Sequence, residues 1–142
     1  MARRVLVDTG PIVALLDRRD THHAWAKSEL ANLRDPLLTC EAVFSEVFFL
    51  LSRIRGGNGL LLGLLRQELV RADPDFSYSA HWKEILGHIE RYASVPMSFA
   101  DACLVTMTEI ERDCFIFTTD RDFLTYKRNR RQPIPLISPF QN

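Results

Sequence analysis

Short apolar runs that alternate with helical segments are the feature of this sequence that most restricts its fold. The runs "RVLVD" (4–8), "PLLT" (36–39) and "CFIFTT" (114–119) suit buried strands, and "PLIS" (135–138) has the length of a last edge strand. Strands that alternate with helices build a mainly parallel sheet with helices on both faces. We therefore predict a three-layer α/β/α sandwich, and the chain, which has no dividing linker or repeat, fits a single domain over 1–142.

The predicted helices are marked by apolar residues at helical spacing and by residues that favour helix ends. Thr21 is the expected N-cap of the second helix, and Ser98 is that of the sixth, where Asp101 completes a near capping box. The segment "GGNG" (56–59) is expected to be the turn that ends the third helix, and the turn-like segment 71–78 has room for a short strand. The predicted helices are 10–17, 21–33, 40–54, 60–70, 80–93, 98–112 and 120–127.

The composition restricts how the protein can bind a nucleic acid and indicates in which cell compartment it acts. Lys+Arg and Asp+Glu both number 18, so a nucleic acid would have to be held by a local basic patch or through a metal ion. The cysteines, Cys40, Cys103 and Cys114, lie among apolar neighbours without C-x-x-C spacing, which predicts buried free thiols. No apolar stretch approaches the length of about 18 residues that a membrane span needs. We therefore expect a cytoplasmic protein that does not enter a membrane.

Two aspartates stand where predicted buried strands end, Asp8 after "RVLV" and Asp120 after "CFIFTT". Ligand sites of open α/β sheets form at the carboxyl ends of the strands, so both positions suit a functional site. A local role is equally open for each, because aspartate is also a favoured helix N-cap and turn residue. Neither aspartate is diagnostic on its own.

Two further acids, Glu46 and Asp101, lie within predicted helices on faces that are mostly apolar. The face of Glu46 is apolar, which predicts that it turns toward the core, and it carries Ala42, Val43, Phe49 and Leu50. An unpaired buried charge is expensive, so each carboxylate is expected to have a partner. For Asp101 a capping role behind Ser98 remains open, and for Glu46 a buried ion pair remains open.

A shared cation would explain why several carboxylates are directed to one place. The candidate ligands are Asp8, Glu46, Asp101 and Asp120. Such a cluster repels itself unless a cation lies among its members or some of them bind protons. Oxygen ligands without His or Cys indicate Mg²⁺ or Mn²⁺, and the natural chemistry of such a site is phosphodiester hydrolysis. Asp122 is a further ligand, a nearby base or a helix-dipole partner. The hydroxyls of Thr9 and Thr118 either orient the carboxylates, or these β-branched residues have only a structural role at the strand ends.

The order of these motifs along the chain resembles the PIN-domain ribonucleases, and among them the VapC-type toxins. The resemblance rests on "VLVDTGPIVALLDRRDTHH", "SEVFFLL", "SFADACLV" and "FTTDRDF", and it covers nearly the whole chain. It implies a Rossmann-like PIN domain whose acidic site cleaves RNA with Mg²⁺ or Mn²⁺. The same resemblance places Asp8, Glu46, Asp101 and Asp120 at the catalytic and metal-binding positions and Asp122 at the frequent extra position.

The resemblance also implies partners, namely an RNA substrate, a second copy in a homodimer, and a cognate antitoxin whose tail enters the acidic groove. The main alternative is a non-catalytic PIN-fold module that binds RNA or a protein. A phosphotransfer domain is disfavoured, because Asp8 is followed by Thr9 and Gly10 and so lacks the D-x-D motif of haloacid-dehalogenase-type phosphatases. The segment "RIRGGNGLLLGLL" (53–65) is either part of a partner surface or core.

The densest basic run follows the last predicted helix and is a candidate for phosphate contacts. Its members are Lys127, Arg128, Arg130 and Arg131. Phosphate contacts would position RNA without reading its sequence, and a solvated loop is an equally open interpretation. The aromatic residues Trp25, Phe76 and Trp82 lie in or beside apolar patterns, and we predict that they pack against the core and do not stack on bases.

Overall fold

Five parallel strands form one sheet at the centre of the protein, in a computed structural model that describes residues 3–140. The described residues contain seven strands in all: β1 (Arg4–Val7), β2 (Leu37–Thr39), β3 (Val70–Ala72), β4 (Cys114–Phe117), β5 (Lys127–Arg128), β6 (Gln132–Pro133) and β7 (Leu136–Ile137). The order in the sheet is β3-β2-β1-β4-β7, and β5 pairs with β6 in a separate antiparallel hairpin. The first two and last two positions of the predicted domain 1–142 lie outside the described residues.

Helices cover both faces of this sheet, which confirms the predicted three-layer α/β/α sandwich. They are α1 (Thr9–Leu16), α2 (His23–Ala31), α3 (Glu41–Leu51), α4 (Gly57–Arg66), α5 (Tyr78–Arg91), α6 (Phe99–Ile110) and a 3-10 helix (Arg121–Leu124). Helix α5 packs on α6, while α1 packs on α2 and α3. Within residues 3–140, none of the helices combines the length and the apolar character that a membrane span requires.

The register of the sheet brings the carboxyl ends of its central strands together. Val7 of β1 pairs with Phe117 of β4, and the Asp8 N–H donates a hydrogen bond of 3.0 Å to the Phe117 carbonyl. The Thr39 hydroxyl at the end of β2 donates to the Val7 carbonyl at 2.7 Å. Because the strands are parallel, the residues that follow β1, β2 and β4 emerge at the same edge, which we call the carboxyl edge.

The predicted N-cap of the second helix is wrong. Helix α2 begins at His23, and His22 stands at the cap position without a side-chain cap bond. Asp20 organises the turn in place of Thr21, since its Oδ1 accepts a hydrogen bond of 2.8 Å from the His22 N–H.

The predicted "GGNG" turn is also wrong, because helix α4 already begins at Gly57. Gly56 before it has a φ of 77°, in the left-handed region that favours glycine. A Cβ atom at Gly57 would overlap the Leu51 carbonyl oxygen, so glycine permits the first turn of α4 to approach the end of α3. The last predicted helix, 120–127, is shorter than expected, because its 3-10 helix ends at Leu124 and the chain enters β5 at Lys127.

Two of the three aromatic residues predicted to pack do so. The Trp25 ring meets Phe117 edge-on at 5.3 Å between ring centroids, and Phe76 stacks on His81 at 5.6 Å. The prediction for Trp82 is wrong, since 45% of this residue is exposed. Helix α5 turns Ile85 into the core and leaves Trp82 on its outer side, so the apolar residues of this helix are divided between two faces.

We expect Ile85→Ala to lower the free energy of unfolding by about 2–5 kcal/mol, because Ile85 is fully buried where α5 meets the core. Leu86→Ala is the matched control, since the neighbouring leucine is 38% exposed and should cost about 1 kcal/mol or less. Urea denaturation followed by circular dichroism measures both values. Equal losses in the two variants would contradict this orientation of α5.

Candidate metal centre

Three aspartates from separate parts of the chain meet at the carboxyl edge of the sheet. One carboxylate oxygen from each of Asp8, Asp101 and Asp120 lies within 4.8 Å of the others. Asp8 and Asp101 are buried, at 5% and 7% exposure, and the three side chains line a cleft of about 660 Å³. The structure therefore brings together three of the four acids that the sequence selected.

The end of β1 and the segment after β4 hold Asp8 and Asp120 through one hydroxyl group. The Thr118 hydroxyl donates to Asp8 Oδ2 at 2.8 Å and accepts a hydrogen bond of 3.0 Å from the Asp120 N–H. Asp8 Oδ1 accepts from the Thr9 N–H at 2.8 Å, which makes Asp8 the N-cap of α1. Both aspartates thus cap helices, as the local interpretation proposed, and both also face the cleft.

Asp101 is positioned by the start of α6 and by a buried tyrosine. Its N–H donates to the Ser98 Oγ at 3.0 Å, so Ser98 is the N-cap as predicted. Its Oδ2 accepts a hydrogen bond of 2.8 Å from the hydroxyl of Tyr126, which is fully buried against Tyr92 and Phe123. Capping by Ser98 uses the backbone N–H of Asp101, and its carboxylate remains directed at the cleft.

Glu46 lines the same cleft, although it lies outside the group of three oxygens. Its Oε1 accepts a hydrogen bond of 2.6 Å from the Thr9 hydroxyl, next to Asp8. Within residues 3–140, no basic side chain forms a salt bridge with Glu46, so the buried ion pair is not the explanation. The predicted core-facing orientation holds for one side of this face, where Val43 is buried and Ala42 packs against the core. It is wrong for the other side, because Phe49 and Leu50 are 58% and 40% exposed and Glu46 is half-buried.

Asp122 and Arg121 complete the rim of the cleft on the side of Asp120. The Asp122 N–H donates to Asp120 Oδ1 at 2.9 Å, and the Asp122 side chain lines the cleft. Partial burial and the charge of Asp120 raise the pKa of Asp122 above its ordinary value. Arg121 also lines the cleft, and sequence reasoning missed it. The sequence feature that could have identified Arg121 is its position between Asp120 and Asp122, which follow a buried strand.

Gly10 is a second residue of the site that sequence reasoning missed. A Cβ atom at this position would overlap the hydroxyl oxygen of Thr119, which also lines the cleft. Glycine therefore allows the first turn of α1 to lie against the segment that carries Asp120. The signal in the sequence was a glycine directly after a strand-end Asp-Thr pair.

The basic run does not meet the acids at the cleft. In the described part of the chain, the cleft is lined by none of its four members, Lys127, Arg128, Arg130 and Arg131. Arg128 donates a hydrogen bond of 2.7 Å to the Arg112 carbonyl, just before β4, whereas Asp120 follows β4. Arg130 lines a separate cleft beside α5 with Lys83 and Arg91. RNA contacts by the basic run stay a prediction, and they would lie away from the acids.

Burial and mutual repulsion make ionisation of the clustered aspartates unfavourable. Burial, and then the charge of Asp101, raise the pKa of Asp8 to about 7, against the hydrogen bond from Thr118 that lowers it. Burial likewise raises the pKa of Asp101 to about 6, while the hydrogen bond from Tyr126 opposes this and the charge of Asp120 adds to it. A divalent cation would offset the unfavourable burial and repulsion of these negative charges. The all-oxygen donor set fits a hard ion such as Mg²⁺ or Mn²⁺.

Comparisons with known proteins agree with this architecture. The sequence profile described as PIN domain matches residues 5–129. Among solved structures, the chain is similar to the crystal structure of Mycobacterium tuberculosis VapC20, described as a Sarcin-Ricin loop cleaving toxin, with a TM-score of 0.68 and 23% sequence identity. That match covers 91% of this chain and 99% of the other. A search of curated proteins found no match.

Without a divalent cation, the protein is expected to lose stability as the pH rises from 5 to 8. The folded-state pKa values of Asp8 and Asp101, about 7 and about 6, exceed the ordinary value of 3.8. The folded protein therefore binds protons more tightly than the unfolded chain, and this contribution disappears as the pH passes through those values. In Asp8→Asn the loss should be smaller by roughly 2–3 kcal/mol.

Urea unfolding in EDTA at the two pH values measures this difference. Asp35→Asn is the matched control, because Asp35 is exposed and precedes β2 at the opposite edge of the sheet. Parallel pH profiles for the wild type and Asp8→Asn would contradict the strain assigned to the cluster.

Proposed function

The chain belongs to the PIN-domain family, and from that membership we propose that it is a metal-dependent endoribonuclease, the toxin of a VapC-type toxin–antitoxin pair. The observation that carries the proposal is the convergence of Asp8, Asp101 and Asp120 within 4.8 Å at the carboxyl edge. The similar VapC20 is described as a toxin that cleaves the Sarcin-Ricin loop, and it supports the same class of activity here. We propose a single PIN domain over 1–142 that acts in the cytoplasm.

The proposed reaction is hydrolysis of an RNA phosphodiester bond. A bound Mg²⁺ or Mn²⁺ would lower the pKa of the attacking water and would stabilise negative charge on the phosphate and the leaving oxygen. Asp8, Asp101 and Asp120 would hold this cation, with Glu46 and Asp122 at the rim of the same cleft. Hard oxygen ligands commonly leave room for phosphate oxygens of the substrate, and the open cleft of about 660 Å³ provides that room.

The residues around the acids keep them oriented and charged. The Thr118 hydroxyl orients Asp8, and the Thr9 hydroxyl orients Glu46. Burial and the hydrogen bond to Asp101 raise the pKa of Tyr126 above its usual range, so Tyr126 remains a neutral donor to the Asp101 carboxylate. This support pre-organises the carboxylates before any cation binds, which lowers the cost of forming the site.

The outer surface of α3 and α4 supports the proposed protein partners. Its exposed apolar residues are Phe48, Phe49, Leu50, Leu60 and Leu62. Several large apolar side chains exposed on two helices that pack together indicate an interaction site. Leu50 also lines the acidic cleft, so a protein bound to this surface would reach the catalytic acids. We propose that this surface serves the cognate antitoxin or a second copy in a homodimer.

The alternative of a non-catalytic PIN-fold module that binds RNA or a protein is less consistent with the site. Asp8 and Asp101 are buried beside each other, and both pKa values are raised by that burial. Burying like charges destabilises a fold unless a cation compensates. A module that only binds partners would be more stable with neutral residues at these positions.

Purified protein should cleave a mixed RNA pool in Mg²⁺ or Mn²⁺, and EDTA should stop the cleavage. Asp8→Asn should lower the rate by roughly 100-fold or more, because it removes a ligand at the centre of the cluster. Glu46→Gln should lower the rate by less, since Glu46 lies outside the group of three oxygens. Gel-based cleavage assays measure these rates, with Asp35→Asn as a control that retains full activity. Cleavage that persists in both Asp8→Asn and Glu46→Gln would refute the proposed site.

Arg121→Ala should weaken RNA binding and reduce the slope of log affinity against log salt by about 1, because one phosphate contact is lost. Arg121 is the cation that lines the acidic cleft among the described residues, whereas Arg128 is bonded to the Arg112 carbonyl at the other end of β4. Arg128→Ala should therefore have the smaller effect on the salt slope. Fluorescence anisotropy over a range of salt concentrations, in the Asp8→Asn background, measures both. A larger effect of Arg128→Ala would contradict the assignment to Arg121.

A further inference from the structure

Two cysteines from distant parts of the chain, Cys40 and Cys103, meet close to the acidic residues. Both are free thiols and buried, as the sequence predicted. We propose that Cys40 and Cys103 form an oxidation site, at which a hydroperoxide converts the two thiols into a disulfide that displaces Asp101 and weakens metal binding. Formation of the disulfide stands apart from the proposed ribonuclease function, and only its effect on RNA cleavage rests on that function.

The fold places the two thiols in contact. Cys40 follows β2 at the carboxyl edge and precedes α3, whereas Cys103 lies in the second turn of α6, and α3 packs against α6. Their side chains are 3% and 2% exposed and line the same cavity. The Cys103 thiol donates a hydrogen bond to the Cys40 sulfur. A disulfide between them therefore needs no rearrangement of distant segments.

Helix capping does not explain the cysteine that precedes α3. N-cap positions favour Ser, Thr, Asp and Asn, and α1 and α6 follow this preference with Asp8 and Ser98. Cys40 holds the N-cap position of α3 and makes no side-chain cap hydrogen bond there. Its sulfur is directed to Cys103, so the structure uses this position for a thiol pair and not for a cap.

Cys40 has the environment of an attacking thiol. The hydrogen bond from Cys103 lowers the pKa of Cys40, burial opposes this shift, and nearby backbone N–H groups at the start of α3 lower the pKa further. A lower pKa increases the fraction of thiolate, which is the form that reacts with peroxides. Burial instead raises the pKa of Cys114 to about 11, and Cys114 begins β4 at the opposite edge of the sheet. Cys114 is thus an internal control.

The shared cavity gives a small oxidant access to the thiols. Its volume is about 80 Å³, which exceeds the roughly 10–15 Å³ that one water molecule needs. Tyr78 and Phe99 also line it, and each is 46% exposed, so the cavity reaches the protein surface. Hydrogen peroxide is only slightly larger than water and fits this space. Disulfides of proteins in a reducing compartment are usually transient and serve redox sensing, which suits such a pair.

The reaction proceeds in two balanced steps. The Cys40 thiolate attacks one peroxide oxygen, so that an S–O bond forms, the O–O bond breaks, and the leaving hydroxide takes up the proton that Cys40 released. The Cys103 sulfur then attacks the sulfur of the Cys40 sulfenic acid. The S–S bond forms, the S–O bond breaks, and water leaves with the Cys103 proton. The two thiols lose two electrons in total, and the peroxide is reduced to two water molecules.

The disulfide would move α6 relative to α3 beside the acids. Its sulfur atoms lie about 2.05 Å apart, well inside any hydrogen-bond distance, so the two cysteines must approach each other. Asp101 precedes Cys103 on α6, and its carboxylate belongs to the group of three oxygens within 4.8 Å. Metal sites tolerate ligand displacements of only about 0.2 Å. Oxidation should therefore weaken the binding of a divalent cation.

Mass spectrometry after treatment with hydrogen peroxide tests the oxidation site. The wild type should lose the mass of two hydrogen atoms, and its proteolytic peptides should be joined through Cys40 and Cys103. Cys114→Ser should show the same loss, whereas Cys40→Ser and Cys103→Ser should not. Thiols that stay reduced while glutathione in the same solution is oxidised would overturn the proposal. A disulfide that includes Cys114, or a gain of oxygen at the thiols without loss of hydrogen, would overturn it too.

Mn²⁺ binding, measured by isothermal titration calorimetry once the peroxide is removed, tests the displacement of Asp101. The oxidised wild type should bind Mn²⁺ roughly tenfold or more weakly than the reduced protein, and it should cleave RNA more slowly. Peroxide-treated Cys40→Ser is the matched control, because it cannot form the disulfide and Cys40 does not line the acidic cleft. Its Mn²⁺ affinity should stay unchanged. Equal Mn²⁺ affinity of the oxidised and reduced wild type would overturn the displacement.

These measurements separate the oxidation site from the proposed function. The disulfide is detected without RNA or metal, and Mn²⁺ binding is recorded without RNA. A reduced protein that forms the disulfide but cleaves no RNA removes the nuclease function and keeps the oxidation site. An active nuclease whose thiols stay reduced removes the oxidation site alone.

Discussion

Mutual repulsion among three neighbouring carboxylates is the constraint on which the rest of this structure depends. Asp8, Asp101 and Asp120 come from distant parts of the chain, and two of them are buried. Their positions require parallel strands in register, so that β1 and β4 end together, and they require donors that hold each carboxylate in place. Thr118 donates to Asp8, Tyr126 donates to Asp101, and the Asp122 N–H donates to Asp120. A bound cation would turn this unfavourable cluster into a stabilising one.

Helix starts reduce the cost of the cluster. Asp8 is the N-cap of α1, and Asp101 lies in the first turn of α6. Free N–H groups and the helix dipole make these positions favourable for negative charge. The local interpretation of the acids as helix caps and the functional interpretation as ligands are therefore not alternatives. The same interactions that begin the helices also direct the carboxylates to the carboxyl edge.

The acidic cleft borders the exposed apolar surface of α3 and α4. Leu50 belongs to that surface and also lines the cleft. Exposed apolar side chains of this kind suit a protein partner. A regulator that binds this surface and covers the cleft would compete with the substrate for the acids.

The sequence by itself determined the layered architecture, the central strands β1, β2 and β4, and the choice of acids that the structure brings to the cleft. These features depend on local patterns, such as apolar runs, helix caps and turn residues, which neighbouring amino acids specify. Only the tertiary structure decided that Glu46 lies outside the central group, that Trp82 faces outward, and that the basic run lies away from the acids. The direction in which a helix face points depends on which distant segment packs against it, and periodicity along a single helix does not contain that information.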